Sequence, residues 1–136
     1  MEGKENVNVV NQIRRKSRVY TEKADRAILE RINAMQNDDD VAMLDEHNNV
    51  VIITSMSENE FRDFLVSGDK PPRLNDEIRK TIHFDNQYVS TTFFGSPSIA
   101  GMWFKTFRSA DKKTVYSTTL ERAEKQHDQL MTFYNI

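Results

Sequence analysis

The sequence predicts an α+β domain, an antiparallel sheet of about four to five strands with helices packed mainly on one face, in the order α-ββ-α-ββ(β)-α. Three observations carry that expectation. Segments with apolar residues at three- and four-residue spacing alternate with β-branched and aromatic runs. Two Ser/Thr-x-x-Glu signatures, Ser57 to Glu60 and Thr118 to Glu121, mark helix starts. Turn-forming residues at Asn48-Asn49, Gly68, Pro71-Pro72 and Gly95-Ser96-Pro97-Ser98 punctuate the chain between them.

The first helix starts at Thr21, a good N-cap, with Glu22 in its first turn and Ala24, Ala27, Ile28, Ile32 and Met35 recurring along one face. It stops at Asn37, because Asp38-Asp39-Asp40 would sit unfavourably at the negative end of the helix macrodipole. Val41 to Leu44 and Val50 to Thr54 then read as a hairpin whose Asn pair tolerates a left-handed turn. Ser57 to Ser67 is a short helix with an apolar stripe of Phe61, Phe64 and Leu65, closed by Gly68 as a left-handed cap. Pro71-Pro72 enforces an extended segment, and Leu74 to Ile82 is expected to hold a helical turn or two. Strands follow over Gln87 to Phe94 and Met102 to Arg108, with a short one at Thr114 to Tyr116 after the turn Asp111-Lys112-Lys113. The last helix carries a seam of Tyr116, Leu120, Ala123, His127, Leu130 and Tyr134 that is too short for a free coiled coil and should dock on the sheet. The outline is similar to that of small secretion-chaperone and adaptor folds, an analogy that carries no function.

A chain of 136 residues implies one domain, here expected to span residues 20–136 behind a flexible basic arm at 1–19. Mean hydropathy is −0.69, so the core should be modest. With 19 basic and 21 acidic residues the net charge is −2, which excludes a bulk polycation. The distribution is uneven: residues 1–31 hold eight Lys or Arg against five acids, and residues 37–63 hold eight acids against one Arg. The absence of cysteine removes disulfides, thiolate metal sites and cysteine nucleophiles. Met1 to Gln12 has no apolar signal core, and no stretch approaches a membrane span, so a soluble, cytoplasmic protein with no membrane partner is expected.

No catalytic constellation stands at diagnostic spacing, and the chain is expected not to be an enzyme. His47, His83 and His127 are too dispersed for a zinc motif, so no metal site and no cofactor is expected. His83 beside Asp85, and His47 beside Asp45 and Glu46, read as ordinary solvated residues, and His127 as a histidine bonded within the seam. Gly3, Gly68, Gly95 and Gly101 compose no phosphate loop. Asp38-Asp39-Asp40 lacks the alternating ligands of a calcium loop and reads as a solvated turn. Ser90-Thr91-Thr92 is similar to the Ser-Thr-Ser strand of ADP-ribosyltransferases over three residues, with the third departing; such runs ordinarily reflect β-propensity.

Two surfaces remain as candidates. Tyr88, Phe93, Phe94, Trp103, Phe104 and Phe107 place six of the thirteen aromatics within twenty residues. Alternation from Met102 puts Trp103, Lys105 and Phe107 on one face and Met102 and Phe104 on the other, so either the sheet is covered on both sides or one face awaits a partner. The expected binding residues are Tyr88, Phe93, Trp103, Phe104, Lys105, Phe107 and Arg108, with Trp103 partly solvent-accessible in the free chain. A protein partner fits this mixture of aromatic and cationic groups, and the same surface would serve a homo-oligomer. The alternative is single-stranded DNA or RNA, held by the aromatic strands together with Arg14, Arg15, Lys16 and Arg18, which would contact phosphates or an acidic partner.

Overall fold

The computed structural model describes residues 24–132. The basic arm, with Arg14, Arg15, Lys16 and Arg18, and the expected N-cap Thr21 lie outside the described residues, as does Tyr134. Helix α1 occupies 24–37, followed by β1 (Ala42–Leu44), β2 (Val50–Ile52) and α2 (Glu58–Val66). Strands β3 (Asn75–Ile82), β4 (Tyr88–Phe94), β5 (Phe104–Arg108) and β6 (Lys113–Ser117) precede α3 (Leu120–Met131). The fold is α+β: β1 and β2 form an antiparallel pair, and β3-β4-β5-β6 form a four-stranded antiparallel meander.

Local chemistry accounts for most boundaries. Asp38 (φ 60°) takes the left-handed position after α1, and Asp39 N–H donates to Ala34 O at 3.0 Å, which satisfies an orphan carbonyl of the last turn. In the β1–β2 turn, Asn48 has φ 63° and the Asp45 carboxylate accepts from the amides of His47 and Asn49, each at 2.9 Å. Ser57 and Glu60 form a reciprocal capping box at 3.2 Å in both directions. Gly68 departs from expectation: Ser67 is the right-handed C-cap, and Gly68 instead admits the Glu46 carboxyl, which would stand 3.0 Å from a β-carbon there. At α3 the cap is one residue later than expected, with Thr119 Oγ1 accepting from Arg122 N–H at 3.2 Å.

The helical turns expected within Leu74 to Ile82 are strand β3. Ile78 and Ile82 stand four apart, a helical interval, but a register shift between Glu77 and Arg79 makes Ile78 the extra residue of a bulge against β4. The bulge turns Ile78 and Arg79 to the same side, toward the core and α3 respectively.

The hairpin lies between two hydrophobic clusters. Val41, Met43 and Ile53 pack with Ala27 and Ala34 of α1, Phe61 of α2 and Leu74, with Phe64 and Leu65 partly buried at the margin. Ala42 and Leu44 point the other way, toward Phe93, Trp103, Phe104 and Ala123. All three residues of β1 are fully buried, which explains why this strand reads as a continuous apolar run. Backbone bonds complete the seam: Ala42 N–H donates to Gly95 O at 2.9 Å, Gly95 N–H to Leu74 O at 2.7 Å, and Leu44 and Arg73 exchange two bonds of 2.8 Å. The Arg73 guanidinium ties the hairpin turn to β3 through Asp45 O (2.6 Å), Asn48 Oδ1 (2.5 Å) and Asp76 Oδ2 (2.7 Å). Among the described residues, no helix is long and apolar enough to cross a membrane.

Candidate functional site: the open face of the four-stranded sheet

Antiparallel register sorts the strand residues onto two faces. Val89, Thr91 and Phe93 of β4 stand opposite Arg108, Thr106 and Phe104 of β5. These six are buried, beneath α3 and the hairpin. Tyr88, Ser90, Thr92 and Phe94 share the reverse face with Lys105 and Phe107 of β5, Thr114 and Tyr116 of β6, and Glu77, Lys80 and Ile82 of β3. Both hydrophobic clusters, which between them include residues of every described helix, exclude Tyr88, Phe94, Phe107 and Tyr116. Those rings lie outside both clusters, Tyr88 with Phe107 toward one end of the face and Phe94 with Tyr116 toward the other.

Tyr88 and Phe107 pack tilted at 6.0 Å between centroids, and the Lys80 ammonium sits 4.5 Å from the Tyr88 ring centre. Ser90 Oγ donates to Glu77 Oε2 at 2.7 Å, which occupies the acid of this face. Ile82 is 64% exposed and Tyr116 40%. At the far end, the β4–β5 loop closes a cleft of about 290 Å³ lined by Phe94, Pro97, Ile99, Met102, Lys105 and Tyr116.

The seven candidate residues thus divide. Tyr88, Lys105 and Phe107 lie together on the open face. Phe93 and Phe104 are wholly buried, with rings 5.5 Å apart. Trp103, expected to be accessible, is only 9% exposed and packs 6.5 Å from Phe93 at an interplanar angle of 29°. The reason is backbone: β5 begins at Phe104, so strand alternation does not govern Trp103, and consecutive Trp103 and Phe104 both enter the core. Arg108 is also withdrawn. Its guanidinium donates to both Asp111 carboxylate oxygens (2.9 and 2.6 Å) and to Leu130 O at 3.1 Å, and it holds the Asp111 carboxyl down at about 2. Lys80, Ile82 and Tyr116 also belong to this face without being expected there, since Lys80 and Ile82 sit on a segment that reads as helical and Tyr116 also fits the α3 seam; Phe94 belongs to the aromatic run but not to the expected binding residues.

Beneath α3 runs a buried polar chain. His127 is fully enclosed and its Nδ1 and Nε2 bond to Thr91 Oγ1 (2.8 Å) and Thr81 Oγ1 (3.0 Å), while Thr91 Oγ1 reaches Thr106 Oγ1 at 3.1 Å. Burial lowers the His127 pKa, Arg79 adds to that effect, and Asp128 opposes it. Both ring nitrogens are engaged in fold-holding bonds, so the chain joins three strands to α3. His83 Nε2 lies 3.2 Å from Met131 Sδ, and His47 Nε2 lies 3.4 Å from Glu46 Oε1. Among the described residues no group of three or more His, Asp or Glu side chains is placed to hold a metal ion.

Comparison with protein families, curated proteins and solved structures finds no match to this chain.

Proposed function

We propose that this chain is a non-enzymatic regulatory or adaptor protein whose open sheet face binds another protein. The observation that carries the reading is the juxtaposition of Tyr88, Phe94, Phe107 and Tyr116 with Lys80 and Lys105 on a sheet surface that contributes to neither hydrophobic cluster. Aromatic anchors beside cations suit an interface core with charged margins. Lys80 and Lys105 stand against a single acid, Glu77, so the face is net basic and the partner segment should carry apolar side chains flanked by carboxylates.

The same residue types suit single-stranded nucleic acid, but two observations favour protein. Lys80 lies over the Tyr88 ring, where a base would stack, and Arg108 is spent on Asp111 and Leu130. The test compares capture from native lysate by the wild-type chain, Lys105→Glu and Phe107→Ser, with and without nuclease. A protein retained after nuclease and lost with both variants, at unchanged far-UV circular dichroism, supports the reading. Capture that nuclease abolishes, or that neither variant weakens, sinks it. Salt-sensitive binding to labelled single strands would transfer the face to nucleic acid.

A further inference from the structure

The two edges of the four-stranded sheet are built differently. Strand β3 carries a bulge at Ile78 and the charged residues Glu77, Arg79 and Lys80, which discourage a further strand. Strand β6 pairs with β5 in unbroken register, contains no proline and has Lys113 as its single charged residue. The phase of the ladder fixes which backbone groups of β6 face outward. Phe94 N–H donates to Trp103 O at 2.8 Å and Ser109 N–H to Tyr88 O at 2.9 Å, so the alternate residues between them, Lys105 and Phe107, also bond toward β4. Phe104, Thr106 and Arg108 then bond to Ser117, Val115 and Lys113 of β6, and the N–H and C=O groups of Thr114 and Tyr116 point away from the sheet. Tyr116 O receives a long bond of 3.4 Å from Gln126 Nε2; among the described residues, the other three outward groups have no partner.

A cleft borders this edge on each face of the sheet. On the open face, Tyr116 and Lys105 share the cleft of about 290 Å³ with Phe94, Ile99 and Met102. On the reverse face a cleft of about 400 Å³ lies between β6 and α3, lined by Lys113, Val115, Gln126, Gln129 and Leu130. Side chains of an added strand alternate between the two: a residue opposite Val115 turns toward α3, and residues opposite Thr114 and Tyr116 turn to the open face. Each cleft holds one lysine with apolar neighbours and no acid, and Arg108, which also borders the α3-side cleft, is paired with Asp111. We infer that the protein partner docks by strand addition along β6, through an extended segment that presents apolar and carboxylate side chains on both of its faces. Backbone bonds to Thr114 and Tyr116 hold the segment, and the two clefts select its sequence. A second copy is a poorer occupant, because β6 brings Lys113 and no acid to its own edge. The inference rests on the reading of the open face as a protein interface and supplies the way the partner is gripped.

Amide hydrogen exchange of the full chain tests it, with an acetylated peptide repeating Val-Val-Glu-Glu as the probe. In the free chain the amides of Thr114 and Tyr116 should exchange quickly, while that of Val115, bonded to β5, is protected. The peptide should slow exchange at Thr114 and Tyr116 by about tenfold or more at saturation. A Val-Val-Lys-Lys repeat should bind about tenfold more weakly. So should the probe to Thr114→Pro, which removes an outward N–H without breaking a bond to β5, whereas Thr114→Val should bind it as the wild type does. Lys113→Glu, an exposed change on the α3 side, should weaken binding by a similar factor and serves if the proline variant does not fold. No protection with up to about 1 mM probe, or equal binding of the two peptides, overturns the inference. A protein lost from lysate capture with Lys105→Glu and Phe107→Ser, but kept by Thr114→Pro and Lys113→Glu, removes strand addition alone and leaves the open face an interface; capture that none of the four weakens removes both. A wild type that sediments as a dimer, with Thr114→Pro a monomer, assigns the edge to a second copy and also overturns the inference.

Discussion

At His127 the sign of the pH dependence follows from which state binds the proton. The folded-state pKa is lowered by burial and by Arg79, so above pH 6.5, the ring's ordinary value, the contribution of the neutral ring to stability is complete. As pH falls below that value the unfolded chain takes up the proton first, and stability drains until the folded pKa is passed. The urea midpoint should therefore drop from about pH 7.5 to about pH 5, and His127→Gln should flatten the drop. An unaltered slope in that variant would assign it to other groups. Gly95 presents a different constraint: a β-carbon there would lie 2.1 Å from Ala42 O and 2.6 Å from Leu74 O, both rigid backbone. Gly95→Ala should cost about 3 kcal/mol by prising the hairpin from the sheet, read as a shift in the urea midpoint. Trp103, buried against Phe93, should be poorly quenched by acrylamide at every concentration, and Trp103→Ala should cost about 3 to 5 kcal/mol of folding stability. Ready quenching would contradict the packing described here.

The elements differ in how they are held. Helix α2 has only nine residues, too few to persist alone, and depends on its capping box and on Phe61. Phe61→Ala should cost about 3 to 5 kcal/mol, whereas Phe64→Ala, which removes a half-buried ring at the margin of the cluster, should cost clearly less. Equal losses would show that the stripe is buried throughout. Strand β3 is an edge strand protected by its bulge and by Arg79 and Lys80, which discourage pairing with a further strand. Arg79 also reaches α3, where it pairs with Asp128 at 2.9 Å, although both groups are substantially exposed and the pair adds little to stability.

On the scale of the whole molecule, β1 is the hinge of the packing. Alternate residues of this three-residue strand enter different clusters, Met43 toward α1 and α2, and Ala42 and Leu44 toward the sheet and α3. Loosening either cluster therefore exposes the other, and the described residues should unfold as one cooperative unit. Trp103 fluorescence reports the sheet cluster, while helical circular dichroism draws on all three helices, so the two transitions should coincide in urea. Met43→Ala should shift both midpoints together. A fluorescence transition lagging the loss of helix would show that α1 and α2 detach as a separate unit.

What the sequence by itself determined was local. The capping box at Ser57, the left-handed Asn48, the helix stop at Asn37 and the α3 seam through Ala123, His127 and Leu130 all arise from interactions within a few residues, and all are present in the fold. Aromatic density also located the sheet and, through Tyr88, Lys105 and Phe107, three members of its open face. Tertiary structure decided which side of an element faces what. A bulge opposite β4 converted the helix-like spacing of Ile78 and Ile82 into a strand, and the late start of β5 turned Trp103 inward. On α1, the neighbouring hairpin accepted Ala27 and Ala34 where periodicity favours Ile28 and Ile32. Periodicity specifies that one face of an element is apolar; the space available between packed elements selects which residues fill it.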